Sequence, residues 1–234
     1  MSGWAAKRFW KTASVQEAED GFTVTLDGRG IKTPAKTTLI VPTQGLAQAI
    51  AAEWDAQDDT VKPATMPFTR TANAAIDKVA LQRAEVAEML AAYGDADLLC
   101  YRAEAPQELV QRQADAWDPA LDWAERELAA RLATRAGVMH APQDAASLKA
   151  LSEQVHALNS FQLAGFHDLV AISGSLVLGL AAARDWKPAY DIWMLSRIDD
   201  LWQEERWGRD EDAHEQAMFK WHEFQHAKSF YDLC

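Results

Sequence analysis

A chain of 234 residues, 49% hydrophobic and 25% charged, has the composition of a globular protein with a sizeable core and not that of a disordered one. Its formal net charge of −12 repels phosphate backbones and anionic headgroups, so nucleic acid and membrane surfaces are poor partners and a basic protein surface is a better one. Cys100 and Cys234 make no disulfide framework, and the N-terminus lacks the apolar run of a signal peptide, so a reducing, intracellular compartment is expected.

In chain order, residues 15–18, 22–26 and 38–41 read as strands of a small antiparallel meander. Phe22, Val24 and Leu26 alternate with Thr23 and Thr25, the period of a half-buried strand, and Asp27-Gly28 supplies hairpin-turn chemistry. Thr43 stands where an N-cap belongs, ahead of a helix whose face is Leu46, Ala49, Ile50 and Trp54. Pro63 and Pro67 precede a long helix over 71–93, with Ala72, Ile76, Val79, Val86, Leu90 and Tyr93 on its face. The expected class is α+β, with a β-rich domain over 1–95 that carries one or two helices and a helical bundle over 96–234.

Everything after residue 96 reads as helix. Pro106 starts one, and Asp118-Pro119 pairs a capping acid with a first-turn proline for another, continued by Leu121, Leu128 and Leu132. Residues 140–144 are a linker, and Leu148, Leu151, Val155 and Leu158 mark the next helix. An apolar helix over 161–183 belongs at the centre of the bundle. Its most apolar run, about fifteen residues, falls short of the roughly twenty that span a bilayer. Two further helices cover 188–206 and 210–233.

Three motifs carry candidate chemistry. His222-Glu223-Phe224-Gln225-His226 matches the H-E-x-x-H zinc pattern, in which histidines one turn apart hold the metal and the glutamate is the general base. A third ligand would have to be Asp232 or, from another helix, His167; a polar face that happens to carry two histidines explains the motif as well. Gly174 and Gly179 have P-loop spacing, but Leu180-Ala181 follows where Lys-Ser/Thr is required, so close helix packing is the simpler role. Ten tryptophans are present, seven of them from Trp117 onward, and Trp193, Trp202 and Trp207 share a stretch with Asp199, Asp200, Glu204 and Glu205. That pattern is either a solvated acidic face or a place where acids and indoles capture a partner's arginine or lysine. No cofactor, metal or catalytic residue is expected.

A set of segments in fixed order resembles one family: Arg8-Phe9-Trp10-Lys11, Leu26-Asp27-Gly28-Arg29, Lys32-Thr33-Pro34, Glu53-Trp54-Asp55-Ala56-Gln57, Met66-Pro67 and Asp97-Leu98-Leu99-Cys100-Tyr101-Arg102. Trp117-Asp118-Pro119, the run from Ser175 to Ala181, and Ser196-Arg197-Ile198-Asp199-Asp200 with Gln203 and Trp207-Gly208 complete it. Over nearly the whole chain this is similar to the ATP synthase assembly-chaperone family that binds the free alpha subunit of the soluble catalytic sector. The resemblance implies a β-rich domain joined to a helical one. It also implies a protein without catalysis that holds unassembled alpha soluble until the beta subunit replaces it. Family members act in the mitochondrial matrix or in related bacteria, so the bacterial cytoplasm is the expected site and a monomer the expected free form. The family's acidic segment, usually glutamate-rich, falls on Asp199 and Asp200. With Trp193, Trp202, Gln203 and Trp207 these form the expected partner surface, while Trp54, Asp55, Trp117, Asp118 and Gly179 match structural positions. The alternative function is a helical zinc-dependent hydrolase using His222, Glu223 and His226.

Overall fold

The structure, a computed structural model, describes residues 7–234; the start of the chain, on which the reading of a missing leader rests, lies outside them. The class is α+β, as expected, and the chain divides into two compact units. One comprises the chain up to Arg83 with Asn159–Gly165 and Ser229–Cys234; the other comprises Ala84–Leu158 and Phe166–Lys228.

In the first unit, β1 (Ala13–Ala18), β2 (Gly21–Leu26) and β3 (Arg29–Gly30) form an antiparallel sheet in that order, with Val15 opposite Val24 and Leu26 opposite Arg29. Asp27 and Gly28 make the two-residue turn with φ of 48° and 82°, the twist that suits a hairpin. Asp27 is held there by the N–H groups of Thr12 at 3.0 Å and Lys11 at 3.1 Å, which keep its carboxyl below the usual pKa. The strand expected over 38–41 does not form. Only isolated bridges pair Thr38 with Lys32 and Val41 with Phe22. The segment pairs at single points instead: Val41 and Phe22 exchange backbone bonds at 2.8 and 2.9 Å, the Leu39 N–H bonds the Ile31 carbonyl, and the Leu39 carbonyl accepts from the Thr23 hydroxyl at 2.7 Å.

Helix α1 (Gln44–Asp55) begins at the predicted cap, with Thr43 Oγ1 accepting from the Leu46 N–H at 3.2 Å. It buries Leu46, Ala47, Ile50 and Ala51 against Val24, Leu26, Ile31, Leu39, Val41 and Phe230. Leu46 and Ile50 each contribute about 1.5–3 kcal/mol by leaving water, and the two alanines less. Glu53, near the end of α1, caps the next helix by accepting from the N–H groups of Phe68 at 2.6 Å and Thr69 at 2.8 Å.

The long helix expected over 71–93 is in fact α2 (Pro67–Asp77) and α3 (Arg83–Ala91), separated by a 3-10 turn at Val79–Leu81 and followed by another at Ala92–Ala96. Asp77 explains the break. Its carboxylate accepts from Thr33 Oγ1 at 2.7 Å and from the Ala35 N–H at 3.0 Å, and the next residue, Lys78, leaves helical geometry at φ −125°.

In the second unit, the short strands β4 (Tyr101–Arg102) and β5 (Arg135–Ala136) pair in parallel, a feature the sequence reading did not contain. Helix α4 (Gln107–Leu128) is a single element of 22 residues that runs through Pro119, so Asp118-Pro119 is not a helix start. Asp118 does not cap; its carboxylate takes the Arg102 guanidinium at 2.7 Å. Asp144 caps α5 (Ala145–His156) by accepting from the Ser147 N–H at 2.9 Å. The apolar helix expected over 161–183 is two helices, α6 (Ser160–Ser173) and α7 (Leu176–Ala183). Gly174, at φ 68°, turns the chain out of α6, and Ser175 caps α7 by accepting from the Leu178 N–H at 3.0 Å.

Residues 188–206 likewise form two helices, α8 (Ala189–Leu195) and α9 (Ile198–Trp207), and the chain closes with α10 (Glu211–Asp232). Ser196 ends α8 by donating its hydroxyl to the Trp193 carbonyl at 2.7 Å. Among the described residues, no helix is long and apolar enough to cross a membrane.

Candidate partner-binding site

Helix α9 is positioned from α4. Trp117, almost fully buried, donates its indole N–H to the Leu195 carbonyl at 2.8 Å and so fixes the end of α8. One turn before it, Gln113 donates to Asp199 Oδ1 at 2.6 Å. Arg112 forks onto both carboxylate oxygens of Glu205, at 2.6 and 2.8 Å, the bidentate geometry that gives an ion pair its direction. The hydrogen bond from Arg112 holds the Glu205 carboxyl below its ordinary pKa. Asp199 and Glu205 therefore face α4. Asp200 and Glu204 face the other way, toward Arg197, whose guanidinium lies 3.4 Å from Asp200 and 3.0 Å from Glu204.

Two clefts flank the helix. Between α9 and α10 is one of about 440 Å³, with Arg197, Asp200, Glu204, Asp210 and Lys220 among its polar walls. Between α9 and the segment that leads into α4 is a more apolar one of about 690 Å³, walled by Leu98, Tyr101, Leu109, Val138 and Trp202. Trp207, at the last turn of α9, lines both and is 79% exposed. Gly208 follows at φ 90° and ends the helix beneath it.

Of the six residues expected to meet a partner, the structure gathers Asp199, Asp200, Trp202, Gln203 and Trp207 on α9 around these clefts. Trp193 lies differently. At 4% exposure it packs on Phe224 and under Arg197, so it supports the cleft from below. Among the structural positions, Trp54 packs edge-on against Trp10 with ring centroids 5.2 Å apart, and Asp55 pairs with Arg8 at 3.4 Å. Asp118 and Trp117 share Arg102, which lies 5.3 Å above the Trp117 ring. Gly179 brings α7 against α6: a Cβ there would stand 2.6 Å from Val170 Cγ2.

The sequence reading missed Arg112 and Gln113, which orient the helix, and the bare apolar tip Val138-Met139. An anchor 93 residues away, as Arg112 is from Glu205, leaves no local signal. His222 and His226 do stand one turn apart on α10. Among the described residues, however, no three His, Cys, Asp or Glu side chains come together to hold a metal ion, and the His167 ring is bonded to Asp168 at 2.8 Å.

A family model described as ATP12 chaperone protein matches residues 7–125. The mitochondrial protein atp12 of Schizosaccharomyces pombe is 28% identical over 221 residues, covering 89% of this chain and 76% of that protein. The crystal structure of Atp12 from Paracoccus denitrificans is 47% identical with a TM-score of 0.95, covering 97% of this chain and 98% of that one. A mutant of P. denitrificans Atp12p is 46% identical, also at a TM-score of 0.95, over 97% of each chain.

Proposed function

The chain belongs to the ATP12 chaperone family, and we propose that it assists ATP synthase assembly by binding the unassembled alpha subunit until beta replaces it. The observation that carries this reading is Trp207: a large indole, 79% exposed, at the shared rim of the two clefts that flank α9. An indole at the rim of two clefts offers the large aromatic anchor that protein interfaces favour. Val138 and Met139, at 89% and 81% exposure, add apolar surface nearby in the chain's second unit. Asp199, Asp200, Trp202, Gln203 and Trp207 form the contact, and Trp193 backs it.

Free alpha would expose the surface that beta covers in the assembled enzyme, and such patches aggregate. Binding of moderate strength shields the patch, and competition by beta releases it without nucleotide. A binding role also fits the thiols: burial pushes both Cys100 and Cys234 up to about 12, which removes them as nucleophiles. The proposed setting is the bacterial cytoplasm, with the free chaperone a monomer.

Light scattering of isolated alpha subunit, with and without the purified chain, tests the function. Suppression at one chaperone per alpha, reversed by added beta, is the expected result. No suppression, or a complex that beta cannot dissolve, overturns it. Asp199→Ala and Asp200→Ala test the surface: if both bind alpha like the wild type, the assignment to α9 is wrong.

A further inference from the structure

Among the described residues, most indoles of this chain carry a cation of their own. Arg8 lies over Trp10 at 5.5 Å, Arg102 over Trp117 at 5.3 Å, Lys187 over Trp186 at 4.8 Å, Arg197 over Trp193 at 5.7 Å and Arg206 over Trp202 at 4.5 Å. Trp54, Trp123 and Trp221 pack against other rings, those of Trp10, Trp186 and Phe224. Of the described indoles, Trp207 alone has neither a cation nor a ring against it, and it is the most exposed large apolar side chain of α9.

The charge around Trp207 says what is missing. Asp200, Glu204 and Asp210 line the α9–α10 cleft against Arg197 and Lys220. Arg197 is committed to Glu204 at 3.0 Å and reaches Asp200 only at 3.4 Å, so Asp200, its side chain 64% exposed, keeps acceptor capacity toward solvent. On the opposite side of α9, Arg102 and Arg206 balance Glu104 and Asp199, and the Trp202 face is already taken by Arg206. A cation arriving at this surface is therefore drawn to the α9–α10 side.

We infer that the α9–α10 cleft receives an arginine flanked by apolar residues from an exposed segment of the partner protein, its guanidinium laid on the Trp207 indole and bonded to Asp200. Arginine suits the site better than lysine. Its planar guanidinium stacks on a ring and forks onto a carboxylate at the same time, whereas an ammonium is a strongly hydrated point charge. The apolar neighbours of that arginine would lie along Ile172 and Ala217 in the cleft wall. This deepens the reading of α9 as the partner surface, but it does not depend on the partner being the alpha subunit.

The test uses the full ¹⁵N-labelled chain, with the Trp207 indole resonance assigned from Trp207→Phe. Three synthetic peptides are titrated in, alternating leucine with arginine, lysine or glutamate. The arginine peptide is expected to shift the Trp207 resonance to saturation, and Asp200→Asn to weaken its binding roughly five- to thirtyfold. An equal response to the glutamate peptide, or no effect of Asp200→Asn, overturns the site; a lysine peptide that binds as tightly overturns the choice of arginine. A chain that takes the arginine peptide but not isolated alpha subunit upholds the site and refutes the proposed function. Undiminished capture of alpha by Trp207→Ala does the reverse.

Discussion

Asp97 is a fully buried carboxylate that holds two elements together. One oxygen accepts from the Leu99 N–H and the other from the Val177 N–H, each at 3.0 Å, joining the turn before β4 to the start of α7. Asp97→Ala leaves both donors buried without partners, at about 1–3 kcal/mol each, and a loss of roughly 2–5 kcal/mol in urea unfolding is expected. Asp97→Asn also loses stability, because its amide must point an N–H₂ at one of those N–H groups. Burial raises the Asp97 pKa from 3.8 to about 6. Between those values the folded chain binds more protons at this position than the unfolded chain. The residue's contribution therefore falls as pH rises through that window and is constant above about 6. Asp27, Asp95 and Asp144, whose pKa values are lowered by backbone N–H groups, act in the opposite sense and at lower pH. The stability margin of the wild type over Asp97→Asn should therefore shrink from pH 4 to pH 6 and then level off. A margin that stays constant across that range would contradict the raised pKa.

Where α6 meets α7, contact is set by the absence of a side chain. A Cβ on Gly179 would lie 2.6 Å from Val170 Cγ2 and 3.4 Å from Phe166 Cε2, and Val170 is a stiff, fully buried residue. Overpacking of this kind costs about 1–3 kcal/mol, more than the gain of up to about 1 kcal/mol from replacing glycine by alanine in a helix. Gly179→Ala is expected to lower the melting temperature in the wild-type background and to raise it when Val170→Ala has made room. If the sign does not change between the two backgrounds, the close approach is not what selects glycine here. Sequence announced such elements unevenly. Thr43 and the Asp27-Gly28 turn were readable because their chemistry is complete within four residues. The division of residues 161–183 was written in Ser173-Gly174-Ser175, but the surrounding apolar run masked it. Asp118-Pro119 misled because a cap signal means little once Arg102 has claimed the acid. The interruption after Asp77 and the anchoring of α9 by Arg112 depend on partners 44 and 93 residues away, beyond any periodicity. Acids and indoles on α9 were visible as a group; which of them open onto a cleft was not, since that depends on Gln113, Arg197 and Arg206 filling their own sides.

Charge is divided between the two units with little overlap. Ala84–Leu158 and Phe166–Lys228 together hold 13 Lys and Arg against 25 Asp and Glu, whereas the remaining segments hold 10 of each. The net −12 of the chain therefore resides in the unit that carries α9. Eight acids fall between Asp199 and Glu215 alone, with Arg206 and Arg209 as the bases among them. A field concentrated this way would speed the encounter with a basic partner surface, while on the proposed reading of α9 the strength of the final complex would rest on the apolar contact around Trp207. The two contributions separate by ionic strength, because the Debye length shortens from roughly 14 Å at 50 mM salt to about 6 Å at 300 mM. Raising salt over that range should slow association with isolated alpha subunit by about tenfold or more and change dissociation much less. Neutralising Glu211, Asp212 and Glu215 together should reproduce the slow association at low salt. Neutralising Glu17, Glu19 and Asp20 in the balanced unit should leave it unchanged. Stopped-flow measurement of both rates decides the matter: equal effects from the two triple variants would mean that only total charge counts, and that the placement of acids around α9 does not guide the partner.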